Sequence, residues 1–296
     1  MPNLLAHYGV QGVLTHALIK DAPPAWITVG CLLPDVPWIL ARVVRVFISQ
    51  EAAYDLRLYA IVQATLGLSL LLSAGLALWS PRPGFVFRIL ALNVFLHLLL
   101  DASQIKWANG VHFFAPFSWT LYHWGWFWPE STTTVLCTIA GVIYLLWAMR
   151  HRSQPESLPP SSTTTRRVLA AVCTVAYLLL PFALWHGPYA ADNHFLKTLR
   201  ERDTREERYI EMDRAGYVPH AEGANILSLV GEDIKIQGQP RDHAAKLSVQ
   251  GMFIDAETLR IDQAHVHWPR FRDWASYLGL LWLGGLWLKS WWQQRP

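Results

Sequence analysis

Cysteine is nearly missing from this chain: Cys31, Cys137 and Cys173 are the only three in 296 residues, each within an apolar stretch. They show no CxxC spacing and no even-numbered framework, so neither a disulfide scaffold nor a thiolate metal finger is encoded. They read as small buried hydrophobes. Charge is scarce too, at 16% of residues against roughly 25% in a typical soluble domain. A net charge of +3, with no basic run interleaved with aromatics, excludes nucleic acid as a partner. The chain also lacks HExxH, GxSxG and a Walker loop, so hydrolysis through a serine elbow or a thiolate has no support. No basic segment precedes an apolar core at the start, where the first cation is Lys20. A secretory signal is therefore not expected, and residues 1–24 are expected to stay on the mature chain.

What the chain has in abundance is apolar surface. Hydrophobic residues make up 52%, and there are sixteen tryptophans, a residue that gathers where hydrocarbon meets headgroups. A hydrocarbon core of ~30 Å needs about 20 helical residues. The stretches 58–79, 84–101, 132–149, 167–186 and 274–292 meet that demand. Residues 150–167 carry four arginines against one glutamate amid Ser, Pro and Thr. With Arg82, Lys289 and Arg295 they mark one side as cytoplasmic. Residues 102–131 and 187–273 then fall outside. The stretch 25–48 is apolar but interrupted by Pro34-Asp35-Val36-Pro37, and two prolines around an acid predict a re-entrant or interfacial hairpin.

Residues 190–214 read as a charged helix with acid–arginine pairs at helical spacing. From about 225 the runs NILSLV, DIKIQG, KLSVQGMFI and TLRIDQAHVHW alternate polar and apolar residues, the period of short strands. The expected fold is mainly α: a polytopic membrane bundle of about five spanning helices plus the N-terminal hairpin, with a small extracytoplasmic β-rich domain. Its expected parts are a membrane-embedded domain (1–150), a cytoplasmic flexible linker (151–166), a spanning helix (167–186), the outer domain (187–273) and a C-terminal helix and cytoplasmic tail (274–296).

Asn93, His97, Asp101 and Gln104 recur at spacings of four, four and three, one polar stripe on an apolar helix. Ionisable groups in a membrane helix are costly and are functional candidates by default. His97 and Asp101, one turn apart, suit a single metal ion; a hydrogen-bonded staple between helices suits them equally. His7 and His16 lie about 900° apart around one helix, on opposite faces, so only one can share the site, and His7 is the candidate. Asp35, between prolines, needs a partner such as a metal or an arginine, or serves as a helix N-cap. His112 is a further possible ligand. Lys106 is either an anion contact or a snorkelling side chain. In His265-Val-His267 both histidines face one side of a strand, as metal ligands or as an exposed pair.

His7, the Gly30-Cys-Leu-Leu-Pro34-Asp35 hairpin, His97-Leu-Leu-Leu-Asp101 and Ala115-Pro116-Phe117-Ser118 together resemble the YdjM-like, LexA-regulated family of metal-dependent hydrolases of the bacterial inner membrane. More distantly they resemble zinc-dependent phospholipases C. The resemblance covers residues 1–150. It implies that His7, Asp35, His97 and Asp101 hold a divalent ion, zinc favoured, with Asp35, His97 and Asp101 catalytic. It also implies a phospholipid or another lipid-linked phosphoryl or acyl substrate. The family's second Asp of LPDxD is Pro37 here, and its HR…H block is replaced by Tyr54-Asp55-Leu-Arg57. One metal rather than two is therefore expected, with Asp55 and Arg57 as substitutes and Asn93 and Gln104 as orienting groups. A non-catalytic scaffold that binds a partner through 187–273 is the alternative, and a transporter is a weaker one.

Overall fold

A computed structural model describes residues 3–150 and 163–293, apart from 222, 239–240 and 269. Most of the expected linker (151–162) and Arg295 lie outside the described residues.

Helix α1 (Leu4–Leu18) opens with Asn3, whose side chain accepts from the Ala6 N–H at 3.0 Å and donates to Thr138 Oγ1 at 2.8 Å. It packs along α7 (Thr132–Arg150) at Gly9 and Gly141, where a Cβ on either residue would strike the other helix's backbone. Small residues allow such close approach between apolar helices.

The expected hairpin at 25–48 is instead a nearly continuous rod. It comprises α2 (Pro24–Leu32), a 3₁₀ turn at Leu33–Asp35, α3 (Val36–Val44) and a second 3₁₀ turn at Arg45–Phe47. Pro34 and Pro37 do not break it because each sits in the first turn of its segment, where the missing N–H is no loss. Arg42 and Arg45 of this rod line the cavity between bundle and barrel, and Arg45 Nη2 donates to Val230 O at 2.6 Å. The stretch 58–79 is likewise not one helix. Thr65 ends α4 (Gln50–Gln63) and caps α5 (Leu66–Ala77), and the two meet at 69°.

Helix α6 (Pro83–Ala102) and helix α8 (Thr164–Leu184) follow the expected boundaries closely. Four helical segments are long and apolar enough to cross a membrane: Pro24–Phe47, Pro83–Ala102, Thr132–Arg150 and Thr164–Ala191. The bent α4–α5 pair would make a fifth.

The charged helix expected over 190–214 does not form. After α9 (His186–Ala191), Asp192 and Phe195 adopt left-handed conformations, and the Asp192 carboxylate caps the short α10 (Leu196–Arg200) through the Lys197 and Thr198 N–H groups. The arginines that would pair along a helix reach elsewhere: Arg200 to Asp55 at 2.8 Å and Arg205 to Glu232 at 2.6 Å. By Tyr209 the chain has entered β1 (Tyr209–His220).

With β2 (Gly223–Leu227), β3 (Asp233–Gln237), β4 (Ala245–Phe253) and β5 (Thr258–Val266), β1 closes a barrel in the order β1-β2-β3-β5-β4. All pairs are antiparallel except β3–β5. This is the connectivity of five-stranded OB-type Greek-key barrels. Ile210, Met212, Ile226, Ile234, Leu247, Val249 and Leu259 fill it, and Ala53, Tyr54, Leu58 and Ile61 of α4 join the same core. Helix α4 therefore belongs to both layers. Helix α11 (Phe271–Gln293) returns to the bundle, where Gly279 approaches Leu4.

Candidate metal centre

Three helical segments bring His7, Asp35, His97 and Asp101 together. His7 comes from α1, Asp35 from the 3₁₀ turn that ends α2, and His97 and Asp101 from successive turns of α6. The two imidazoles stack with centroids 3.8 Å apart and planes 9° from parallel. His97 Nε2 lies 3.4 Å from Asp35 Oδ1 and 3.7 Å from Asp101 Oδ2, while His7 Nε2 lies 3.5 Å from Asp101 Oδ1. His7 and His97 are fully buried, and the two aspartates nearly so.

The protons of this group can be inferred. His97 Nδ1 is 2.7 Å from Cys31 O, and a carbonyl only accepts, so Nδ1 carries the hydrogen. In the neutral ring Nε2 is then a lone pair facing two carboxylates. Three atoms of the cluster, His7 Nε2, Asp35 Oδ1 and His97 Nε2, are buried without a partner, and Asp101 Oδ1 has only the Lys106 ammonium at 3.0 Å. Acceptors converging on one point without donors call for a cation. His97 also shows the usual support of a metal ligand, its second nitrogen held by a backbone carbonyl. Gln11 Nε2 lies 2.9 Å from His7 Nδ1 while Gln11 Oε1 has no partner. Turning that amide over lets Nδ1–H donate to Oε1 and frees His7 Nε2 in the same way.

The other sequence candidates separate. Lys106 is 3% exposed and donates to Asp101 Oδ1 at 3.0 Å, so it is a cluster member rather than a snorkelling side chain. Asn93 bonds Ile89 O and accepts from Thr15, and neither Gln104 amide atom has a partner. Neither residue orients the histidines. Asp55 pairs with Arg200 and stands apart from the cluster. His16 lies beside Tyr144 and Trp147, on the opposite face from His7 as its spacing requires. His112 shares a 3.0 Å hydrogen bond with His194, which the sequence reading did not single out. Burial pushes His112 down to about 4 and His194 well below the usual histidine value, His112 adding to the latter.

Above the cluster is a 310 Å³ cavity between bundle and barrel, with Asp101, Lys106, His112 and His194 in its wall. Arg57 lines it, stacked over Trp38 at 5.4 Å, and its Nε is buried without a partner. Seven cationic side chains face three carboxylates in this wall. Among the described residues, Arg42, Arg57 and Arg272 have no carboxylate at ion-pair distance, whereas Arg45 is tied to backbone carbonyls and Lys106 to Asp101. The cavity wall thus carries an excess of positive charge, and Asp101 is the member of the His97 cluster that reaches it. Comparison of the chain with family models, with curated proteins and with solved structures finds no match to any of them.

Proposed function

We propose that this chain is a membrane-bound, metal-dependent hydrolase that acts on a phosphoryl group carried by a lipid-linked substrate at the outer face of the bacterial inner membrane. The observation that carries the reading is the convergence of three unpartnered buried ligand atoms and the Asp101 carboxylate beside a cavity with three unpaired arginines. The cluster fits one divalent ion, for which zinc is the favoured identity, held by His7, His97 and Asp101 with Asp35 beside them. Such an ion supplies Lewis-acid polarisation of a phosphoryl oxygen and a water acidified toward pKa ~7.

The chain's own groups do the rest. Arg57, Arg42 and Arg272 bind and orient the anionic head, a task suited to the guanidinium fork. Lys106 holds the Asp101 carboxylate in place through its 3.0 Å contact. His97 keeps its proton on Nδ1 against Cys31 O, so its Nε2 remains available.

Support for the membrane setting comes from the outward surface of the helices. On α8, Leu179 and Phe182 are about 60% exposed, and Phe117 in the outer loop is 97% exposed. The arginine asymmetry of the loops supports the cavity and barrel lying outside. The test is metal content and turnover of the purified chain in proteoliposomes, against phosphomonoester, phosphodiester and acyl-ester lipids. A His97→Ala variant is expected to lose one equivalent of metal together with cleavage of the phosphorylated lipid. Equal metal content and equal activity in wild type and His97→Ala would sink the reading.

A further inference from the structure

We propose that Glu130, His265 and His267 form a second divalent-cation site, of the zinc class, that clamps the barrel to the loop ahead of α7. It stands apart from the His97 cluster and does not depend on that cluster being catalytic.

The site is built from distant parts of the chain. Alternate residues at the end of β5 present both imidazoles on one face, and the turn before α7 brings Glu130 to meet them. One ligand atom from each residue lies within 4.8 Å of the others. Glu130 Oε2 and His265 Nε2 face each other at 3.7 Å, too far for a hydrogen bond, and both are buried without a partner. The other carboxylate oxygen, Oε1, is already engaged by Arg214 Nη1 at 3.0 Å. Arg214 therefore fixes the carboxylate while leaving Oε2 free. The Trp128 indole lies flat on His265, with centroids 3.5 Å apart and planes 6° from parallel, so that ring is held as well.

The protons around His267 make the stronger argument. Ser248 Oγ has one hydrogen, and it sits 2.8 Å from Asp213 Oδ1, which only accepts. Ser248 therefore donates to Asp213 and accepts from its other neighbours. One is the Arg214 N–H at 3.2 Å, and the other is His267 Nε2 at 2.7 Å. His267 must then carry its hydrogen on Nε2. In the neutral ring Nδ1 is a lone pair pointing at Glu130 Oε1, 2.8 Å away. Two acceptors at that separation require a metal ion or a second ring proton between them, even with Arg214 on one side of Oε1. An imidazole that donates its second nitrogen to a hydroxyl–carboxylate chain is the recurring support of a metal ligand. Imidazole and carboxylate together favour the zinc class over calcium or magnesium. His265, whose side chain is 28% exposed, is the member through which an ion enters.

The competing account is a doubly protonated His267 paired with Glu130 and no metal. Stoichiometry separates the two. The full chain in detergent is stripped with a chelator, reloaded with Zn²⁺ and analysed for bound metal. Wild type is expected to hold two equivalents, and His265→Gln/His267→Gln and His97→Ala/Asp101→Asn one each. Ser248→Ala guards against a double variant that does not fold. It keeps all three ligands but removes the acceptor for His267 Nε2–H, so the affinity of one equivalent should fall about 10- to 100-fold. A wild type with one equivalent, lost only on His265→Gln/His267→Gln, upholds this site and overturns the His97 centre. Loss only in His97→Ala/Asp101→Asn, with zinc affinity unchanged in Ser248→Ala, overturns this site. Wild type free of zinc overturns both.

Discussion

The helical layer and the barrel are built on opposite rules. In the barrel, Ile210, Ile226, Leu247 and Val249 are fully buried while Lys235 and Glu257 pair on the surface. The bundle has an apolar core of its own around Tyr8, Ile27, Ile89, Leu90 and Leu145, but it also turns large apolar side chains outward: Val172, Val175 and Leu179 of α8 are all more than half exposed. Its interior holds Gln11, Thr15, Ser69, Ser73, Asn93 and His97, none more than 1% exposed. In the membrane setting proposed above, apolar surface has nothing to gain by turning inward. The barrel would then be stabilised by water's exclusion of its core and the bundle by close helix contact and polar pairing. The two layers should therefore fail in different ways.

The largest effect is expected where helices touch without side chains between them. Gly141→Leu drives a side chain into the backbone of α1 at Leu5. Overpacking costs about 1–3 kcal/mol where neighbours can yield and more where they cannot. Thermal unfolding in detergent should show the largest drop of any single substitution described here, with loss of the metal that depends on His7. A variant with unchanged melting would mean that α1 and α7 do not approach this closely.

Next is a matched pair of leucines. Leu247→Ala in the barrel core should cost about 2–5 kcal/mol, whereas Leu179→Ala on the outer face of α8 should stay within about 0.5 kcal/mol. Equal losses, measured by chemical unfolding in the same micelles, would erase the contrast between the layers.

The smallest effect concerns pH. His112, held down to about 4 by burial, is neutral in the folded state, whereas in the unfolded chain it titrates near its ordinary 6.5. Between these values the unfolded chain binds more protons, so stability falls as pH drops from 6.5 toward 4 and is complete above 6.5. His112→Gln should flatten the melting temperature over that interval and leave the profile above pH 7 unchanged. An equally steep fall in the variant would assign the acid sensitivity to other groups.

Four of the five strands were legible because polar and apolar residues alternate over part of each run, even though the β4–β5 pair also shifts register at Gln250/Gly251. β1 was not, for a local reason: between Met212 and Ala215 its register shifts, and Arg214 takes a positive φ of 53°. Met212 and Asp213 are therefore both buried, and the alternation changes phase midway through a charged sequence. The stripe on α6 gave His97 and Asp101, since helical spacing survives any tertiary arrangement. Asp35, as an acid between prolines, and His7, by its helical facing, were candidates that the resemblance then joined to the stripe, and the structure brings both to it. Asp55 was misplaced because Arg200, 145 residues away, claims it. Glu130 carried no signal: in sequence it lies between Pro129 and Ser131 and reads as the entry to a helix. Its partners lie on the last strand.

Those partners set an order in time. All four residues of the His97 cluster are in the chain once α6 is synthesised. Glu130 must wait for His267, 137 residues later. The residues of the His97 cluster are thus all present in a growing chain long before His267, so the contact between barrel and loop is among the last that the chain can make.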